Sequence, residues 1–358
     1  MNKTLFLFIA SIAIITTSCK PGDGSKSSSG KVTLSGAGAT FPQPFYSIVF
    51  KAYGEKTGNA VNYGGIGSGG GIRSLKDKTV DFGATDAYLS DTEREEFGAE
   101  IVHVPTCMGA VVLSYNLKDV KKLNLTGELI ADIFRGKITK WNDAKIKAVN
   151  PEATLPDKSI TPVYRSDGSG TTFVFSDYLT KVNSTWASEI GTGKSLSGLA
   201  GIAAKGNPGV AGIIAQTEGS IGYIGSEYAL AMNIPTASLQ NRAGNFVNAD
   251  VESISAAANI ELPADMRTMI TDSPEEKAYP ISCFTWIIVY KEQAYTQKRT
   301  KDQADATVEL LNYILDAEGQ GVASKVHYAP LPEKALNNAK ALVKTIIYNG
   351  ETLGAKND

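Results

Sequence analysis

The sequence has 358 residues, of which 42% are hydrophobic and 20% are charged, and its net charge is -2. The length exceeds that of one typical core, which predicts two domains, and the balanced charge argues against a nucleic-acid surface. The 2 histidines and 3 cysteines form no metal-ligand pattern, which argues against a zinc site or a metallohydrolase.

The N-terminus has the pattern of an export signal, with Lys3 before an apolar run from Leu5 to Ile15. Small residues and then Cys19 follow, which resembles a bacterial lipoprotein signal. That resemblance implies removal of residues 1–18 and a lipid on Cys19; simple secretion is the alternative. Residues 19–30 are rich in Pro, Gly, Ser and Lys and predict a flexible tether.

The first strand pattern, Val32 to Ser35, runs into the glycine-rich segment 36–42. Apolar residues then recur at helical spacing, which predicts a helix from near Pro42 to Gly58. Thr40 has the side chain of a helix N-cap. Its hydroxyl and the adjacent N–H groups could instead face an anion, since a helix N-terminus attracts negative charge.

A second junction of this kind lies at residues 64–71, whose glycines match the spacing of a dinucleotide-binding loop. That interpretation is disfavoured because the preceding strand is short and polar and because this is not the first strand-to-helix turn. The next strand pattern, residues 80–87, ends at Asp86, where α/β sheets bind ligands. A lone aspartate there is more often a turn or cap residue.

Two further strands, Ile101 to Val104 and Ala110 to Tyr115, are predicted on either side of an interruption from Pro105 to Gly109. Later in the chain, residues 284–290 form a continuous apolar run that predicts a buried strand. An amphipathic helix is predicted to end at Gly319. Short strands alternating with helices indicate α/β sheets covered on both faces.

The stretch from Tyr164 to Thr172 is a third junction between a strand and a helix. Its glycines, Gly170 among them, allow close backbone approach, and the hydroxyls of Ser169 and Thr171 add donors. Arg165 adds a permanent charge in a planar fork that suits an oxyanion. The alternative is an ordinary capped helix start.

Two later glycine-containing segments invite other interpretations. Residues 191–195 look like a phosphate-binding P-loop, but Ser188 stands where that motif needs a glycine. Residues 206–209 precede an apolar helix pattern. Residues 168–170 hint at a hydrolase nucleophile turn, but Asp167 stands where its first glycine is required.

Taken together, these motifs resemble the phosphate-binding protein that serves the phosphate-specific ABC transporter, a type II periplasmic binding protein. The matching motifs, in chain order, are residues 36–42, Asn62 to Ser68, Val80 to Ala84 with Asp86, and Arg165 with residues 167–171. The resemblance covers about Val32 to Lys344. Several ordered motifs are more specific than any single one.

The resemblance implies an α/β fold of two lobes, each a mixed sheet flanked by helices, joined by two crossing strands. Lobe I would comprise residues 31–106 and 285–358, and lobe II residues 107–284. Cys107 and Cys283 would then lie near the crossovers, so we expect them to be neighbours, with two thiols favoured over a disulfide.

The resemblance also implies the ligand and its contacts. Inorganic phosphate would be bound in the cleft by Thr40, Phe41, Ser68, Asp86, Arg165, Asp167, Ser169, Gly170 and Thr171, with the backbone N–H of Phe41 as its contributing group. Asp86 would accept a hydrogen bond from the O–H group of hydrogen phosphate and repel sulfate, which has no proton at neutral pH.

The implied protein is a monomer without enzymatic activity or cofactor, located in the periplasm or at the cell surface and held to a membrane through the lipid on Cys19. Its partners would be the permease and ATPase subunits of the importer, with no nucleic acid. The alternatives are an enzyme that acts on phosphate esters and a binding protein for another oxyanion. A surface adhesion role is also compatible with the motifs.

Overall fold

Short strands alternate with helices along the chain, and the structure, a computed structural model, describes residues 31–353. Its strands are β1 (Thr33–Gly38), β2 (Ala60–Gly65), β3 (Phe82–Thr85), β4 (Ile101–Tyr115), β5 (Asn124–Leu125), β6 (Thr161–Arg165), β7 (Ile202–Ala204), β8 (Ser220–Gly225), β9 (Ser238–Gln240), β10 (Phe246–Val247), β11 (Ser282–Tyr290), β12 (Ile347–Tyr348) and β13 (Glu351–Thr352). Its helices are α1 (Gln43–Thr57), α2 (Ser68–Lys76), α3 (Asp91–Glu95), α4 (Gly127–Phe134), α5 (Ala144–Ala148), α6 (Gly170–Val182), α7 (Ser184–Glu189), α8 (Gly206–Gln216), α9 (Ser226–Ala231), α10 (Val251–Ala256), α11 (Lys301–Ile314), α12 (Ala317–Lys325) and α13 (Glu333–Val343).

The main sheet has 8 strands in the order β2-β1-β3-β11-β4-β8-β6-β7. We call β2, β1, β3 and β11 the first strand group, and β8, β6 and β7 the second strand group. Strand β4 joins the two groups: residues 101–110 pair with β11, residues 111–115 pair with β8, and both pairings are antiparallel.

Parallel pairing orders the rest of each group. Strand β1 runs parallel to β2 and β3, and β6 runs parallel to β7 and β8. Parallel neighbours need a long crossover, which the intervening helices provide. The carboxyl ends of β1 and β3 therefore share one edge, and those of β6 and β7 share another. This mixed α/β architecture, in which β4 joins the two strand groups into one sheet, confirms the expected fold class.

The interruption predicted between two strands at residues 105–109 is wrong, because β4 is continuous from Ile101 to Tyr115. The sheet accommodates Pro105 through a register shift in which Thr106 is the extra residue. A bulge is one of the few places where a central strand tolerates a residue without an N–H group. The Thr106 hydroxyl donates to the Thr285 carbonyl at 3.2 Å, so a side chain replaces part of the lost ladder bonding.

The helix predicted from near Pro42 to Gly58 is confirmed as α1, but the helix end predicted at Gly319 is wrong. Helix α11 stops at Ile314, and Gly319 lies in the first turn of α12, where its N–H donates to the Asp316 carboxylate at 2.8 Å. A side chain at Gly319 would come within 2.2 Å of the carbonyl oxygen of Tyr313. The glycine allows two helices to meet closely and does not end the first.

Cys107 and Cys283 lie on the adjacent strands β4 and β11, both fully buried and unbonded. Cys107 pairs with Thr285, and Cys283 pairs with Gly109, so the cysteines are diagonal neighbours and their expected proximity is confirmed. Diagonal side chains on paired strands stand roughly 7 Å apart, whereas a disulfide brings Cβ atoms to about 4 Å. The strand register therefore favours two separate thiols.

Candidate anion-binding site

The residues predicted to contact an anion lie where the carboxyl edges of the two strand groups meet. The first group contributes Thr40 and Phe41 after β1, Ser68 at the start of α2, and Asp86 after β3. The second contributes Arg165 at the end of β6, followed by Asp167, the helix cap Ser169, and Gly170 and Thr171 in the first turn of α6. All are buried except Asp167, which is partly exposed.

Arg165 is held in one orientation by Asp167. Its Nε donates to Asp167 Oδ1 at 2.8 Å and its Nη2 to Oδ2 at 2.6 Å, a two-pronged pair with the arginine side chain only 1% exposed. The N–H of Gly206 also donates to this carboxylate, at 3.0 Å. Burial alone would raise the pKa of Asp167, but hydrogen bonds and the charge of Arg165 outweigh it and hold that pKa below its ordinary value.

Ser68 and Gly170 connect the two strand groups. The Ser68 hydroxyl accepts the N–H of Gly170 at 3.0 Å and the N–H of Asp86 at 3.4 Å. The Gly170 N–H, one of the predicted ligand donors, is thus engaged with the first group. A side chain at Gly170 would stand 2.5 Å from Ser68 Oγ and 2.7 Å from Asp86 Oδ2, so only glycine fits.

Asp86 is the buried acceptor of the site, with 1% of its surface exposed. Its Oδ1 accepts the hydroxyl of Thr285 at 2.9 Å. Burial raises its pKa to about 7, and the hydrogen bond from Thr285 and the charge of Arg165 counteract only part of that rise. The carboxyl group therefore exchanges a proton near neutral pH.

The backbone at Thr40 and Phe41 is fixed by tyrosines. Three hydroxyls donate to three successive carbonyl oxygens: Tyr63 to Ala39 at 2.7 Å, Tyr228 to Thr40, and Tyr328 to Phe41 at 2.6 Å. Each carbonyl dipole is thereby turned toward a donor, and within residues 31–353 the N–H of Phe41 has no acceptor. This N–H is therefore available to an anion, as its predicted role requires.

The cap role considered for Thr40 is wrong, because Pro42 occupies the N-cap position of α1 and no side chain caps that helix. The Thr40 hydroxyl instead accepts two hydrogen bonds from Asn207, from its backbone N–H at 3.1 Å and its amide Nδ2 at 2.9 Å. The same Nδ2 donates to Thr171 Oγ1 at 3.1 Å. Asn207 thus links a threonine of each strand group.

Sequence reasoning did not assign Asn207 to the site. The signal was present, because residues 202–209 repeat the pattern of a short strand, a glycine and a helix start, which the structure shows as β7 and α8. Asn207 is fully buried in the first turn of α8. What the pattern lacked was any indication that this turn faces Thr40.

Other features of the described residues bear on alternative chemistry. His103 is buried and accepts the N–H of Leu89 at 3.1 Å, and its burial lowers its pKa to about 3, so it serves as a neutral structural acceptor. Between residues 31 and 353 there is no cluster of three or more potential metal ligands. In the same range, no helix is both long and apolar enough to cross a bilayer.

Comparison with known proteins places these features in a family. A model of the PBP superfamily domain matches residues 23–318. The chain is 40% identical over 352 residues to the phosphate-binding protein PstS of Xylella fastidiosa (strain 9a5c), covering 92% of this chain and 94% of that protein. It is 39% identical over 320 residues to PstS of Haemophilus influenzae, covering 87% and 93% of the two chains.

Solved structures share the fold. A high-affinity periplasmic phosphate-binding protein bound with phosphate superposes with a TM-score of 0.72 at 23% identity, covering 87% of this chain and 93% of that one. A phosphate-binding protein from Stenotrophomonas maltophilia gives a TM-score of 0.66 at 17% identity, covering 87% and 94%. At such identities the likeness concerns the fold alone.

Proposed function

The chain belongs to the PBP superfamily, among its phosphate-binding proteins, and on that premise we propose that it binds inorganic phosphate for delivery to an ABC importer. One observation carries the proposal: a buried arginine, Arg165, and several buried hydroxyls lie around the buried carboxyl of Asp86. A donor-rich site with one acceptor matches an oxyanion that still carries a proton.

The proposed contacts are those predicted from the sequence except Asp167: Thr40, the N–H of Phe41, Ser68, Asp86, Arg165, Ser169, Gly170 and Thr171. Asp167 supports the site through Arg165, whose guanidinium it orients. Neutral donors provide most of the binding, and the arginine provides the full positive charge. Such hydrogen bonds are strong because the anion is charged and the site is dry.

Asp86 is proposed to distinguish phosphate from sulfate. Hydrogen phosphate donates a hydrogen bond from its O–H group to the carboxylate, whereas sulfate would place two acceptors against each other in a buried site. Leaving a buried polar group unpaired costs about 1–3 kcal/mol, and more for charged groups. Arsenate has the same proton and shape as phosphate, so this mechanism does not exclude it.

Binding is proposed to close the cleft between the two lobes. We retain the predicted bounds, residues 31–106 with 285–358 for lobe I and 107–284 for lobe II. Several contacts cross between them, among them the Gly69 N–H to the Gly168 carbonyl at 2.9 Å. Because donors on both lobes hold one anion, the ligand favours the closed state, which the importer would recognise.

The segment that resembles a P-loop is proposed to act in closure and not in nucleotide binding. Lys194 forms an ion pair with both oxygens of Glu93 at 2.7 and 2.8 Å, and the two residues belong to different lobes. The backbone carbonyl of Lys194 accepts the N–H of Ser169 at 2.8 Å, so this loop also supports the start of α6. The side chains are 15% and 29% exposed, at the rim of the cleft.

For the whole protein, the proposal includes export and attachment to a bacterial membrane through a lipid on Cys19, and a monomer that docks on the permease and ATPase complex. The signal of residues 1–18, Cys19 and the tether of residues 19–30 lie outside the described residues. Metabolic labelling with a fatty acid, lost in Cys19→Ser, would support the anchor; unlabelled wild-type protein would refute it.

The functional test is equilibrium titration of protein that has been unfolded, stripped of ligand and refolded, using phosphate, arsenate and sulfate. We expect tight binding of phosphate and arsenate and none of sulfate. Equal binding of sulfate would favour the alternative of a different oxyanion. Turnover of a chromogenic phosphate ester would favour the enzyme alternative, and we expect none.

A further inference from the structure

The hydroxyl oxygens of Thr40 and Thr171 each accept two hydrogen bonds. A hydroxyl oxygen has two lone pairs and one hydrogen. Thr40 Oγ1 accepts two hydrogen bonds from Asn207, at 2.9 and 3.1 Å. Thr171 Oγ1 accepts from Asn207 Nδ2 at 3.1 Å and from Arg165 Nη1 at 3.4 Å. With both lone pairs occupied, each hydroxyl has only its hydrogen left to offer.

The orientation of the Asn207 side chain is determined by its surroundings. The N–H of Gly225 lies 2.9 Å from Asn207 Oδ1, and an N–H group can only donate. The oxygen of the amide must therefore point to Gly225, and the two hydrogens of Nδ2 are left for the two threonine oxygens. Asn207 is fully buried, so water does not compete for these bonds.

We propose that Asn207 is a positioning residue that fixes the hydroxyls of Thr40 and Thr171 as hydrogen-bond donors toward phosphate. The proposal rests on the proposed function, because it concerns the same site. Asn207 need not touch the anion. It fills the acceptor sites of one threonine on each strand group, so that neither hydroxyl can turn a lone pair toward the ligand.

The assigned role has a consequence for the protonation state of the ligand. Hydroxyls fixed as donors need unprotonated phosphate oxygens, so they favour hydrogen phosphate over dihydrogen phosphate. In Asn207→Asp, an ionised carboxylate of nearly the same shape would accept from both threonines and turn their lone pairs toward the ligand. That variant should prefer dihydrogen phosphate, so its affinity should rise as pH falls. Protonation of the new carboxyl would also raise the affinity at low pH.

The test is phosphate titration of ligand-stripped wild type, Asn207→Asp and Asn207→Ala from pH 6 to pH 8. We expect Asn207→Asp to lose about 100-fold in affinity at the alkaline end and to recover part of it at the acidic end. Asn207→Ala should lose about tenfold with the pH profile of the wild type. Thermal unfolding without ligand shows whether each variant is folded.

Asn241 provides the matched control, because it is also buried and its amide also bonds in both directions, to the carbonyls of Glu276 and Ala278 and from the N–H groups of Ala243 and Asn245. Asn241→Asp should keep the affinity and pH profile of the wild type. If Asn207→Asp did the same, or if Asn207→Ala bound as tightly as wild type, the role of Asn207 would be refuted. A wild type that ignores phosphate would instead refute the proposed function.

Discussion

The two sides of the candidate site each contain one aspartate, and the two carboxyls behave oppositely. Asp86, on the first strand group, is buried with a single hydroxyl donor on Oδ1, and burial raises its pKa to about 7. Asp167, on the second, bonds both prongs of Arg165, which hold its pKa below the ordinary value despite partial burial. The two aspartates therefore have different roles. The carboxyl of Asp86 can take up a proton, and the carboxylate of Asp167 orients the cation of Arg165.

The strongest way to break this contrast is to remove the cation. Arg165→Met deletes the positive charge of the site and leaves Asp167 without its partner, so we expect phosphate affinity to fall by about 1,000-fold. Isothermal titration of ligand-stripped protein would measure the loss. Arg135→Met is the control, since Arg135 is also mostly buried and pairs with Asp132 and Glu189 elsewhere.

A control variant that lost affinity to the same degree would show that the effect of Arg165→Met is general destabilisation. Retention of tight binding in Arg165→Met would contradict the assigned role of the arginine.

The next contrast is in the pH dependence of stability. Ionisation of Asp86 should lower the free energy of unfolding, whereas ionisation of Asp167 should raise it. The folded protein keeps a proton on Asp86 that the unfolded chain releases, so stability falls as pH rises from the ordinary aspartate pKa to about 7. Above that window Asp86→Asn should stabilise the ligand-free protein, by up to about 4 kcal/mol. Urea unfolding at pH 5 and pH 8 would measure this.

Asp167 contributes in the other direction. Its folded-state pKa is lowered, so its stabilisation is present above the ordinary aspartate pKa and is lost as pH falls through the folded value. Asp167→Asn should therefore destabilise the protein at neutral pH. If Asp86→Asn and Asp167→Asn changed the free energy of unfolding in the same direction at pH 8, the comparison would be contradicted.

The third contrast is anion selectivity. Asp86→Asn replaces the acceptor that repels sulfate with an amide that can donate, so we expect sulfate affinity to rise by about 100-fold, with a smaller change for phosphate. In Asp167→Asn, two effects on phosphate affinity oppose each other. Weaker orientation of Arg165 lowers the affinity, and the gain in net positive charge raises it. We expect less than about a tenfold change for phosphate and continued rejection of sulfate. An Asp86→Asn protein that still ignores sulfate in calorimetry would remove Asp86 from the selectivity mechanism.

The smallest effect should come from the ion pair at the rim. Glu93 and Lys194 are partly exposed, so their contribution to closure should be about 2–5-fold in affinity and should shrink between about 0.02 M and about 0.5 M salt. A double-mutant cycle with Glu93→Gln and Lys194→Met would measure it. Glutamine keeps the capping box that Glu93 forms with Ser90, so the helix start is preserved. Zero coupling at low salt would contradict a role in closure.

Local chemistry made much of this site predictable from the sequence. The start of α6 combines a strand, close-approach glycines, a serine and an arginine within a few residues; the structure confirms the junction of strand and helix, and Ser169 caps the helix, as the alternative interpretation predicted. The boundaries of α1 followed from apolar spacing and from Gly58, which adopts a left-handed conformation. Such features depend on neighbours within one or two helical turns.

The features that were missed depend on contacts between distant parts of the chain. Asn207 bonds Thr40 across 167 residues, and no local pattern encodes that meeting. Pro105 predicts a break in a strand, yet the bulge at Thr106 keeps β4 continuous, aided by Gln320, whose amide donates to the Thr106 carbonyl at 2.9 Å. The sequence predicted the groups proposed to contact the anion, including Asp167, which orients Arg165, but it gave no indication of Asn207.

The bulge in β4 also has a mechanical consequence. It lies at the proposed boundary between the lobes, beside the point where β11 crosses, and Pro105 there has already removed one ladder hydrogen bond. Bending at such a point breaks fewer main-chain bonds than bending elsewhere in either strand. We therefore expect the two lobes to rotate relative to each other about a hinge at this bulge. The buried thiols of Cys107 and Cys283 lie on the strands that form the hinge.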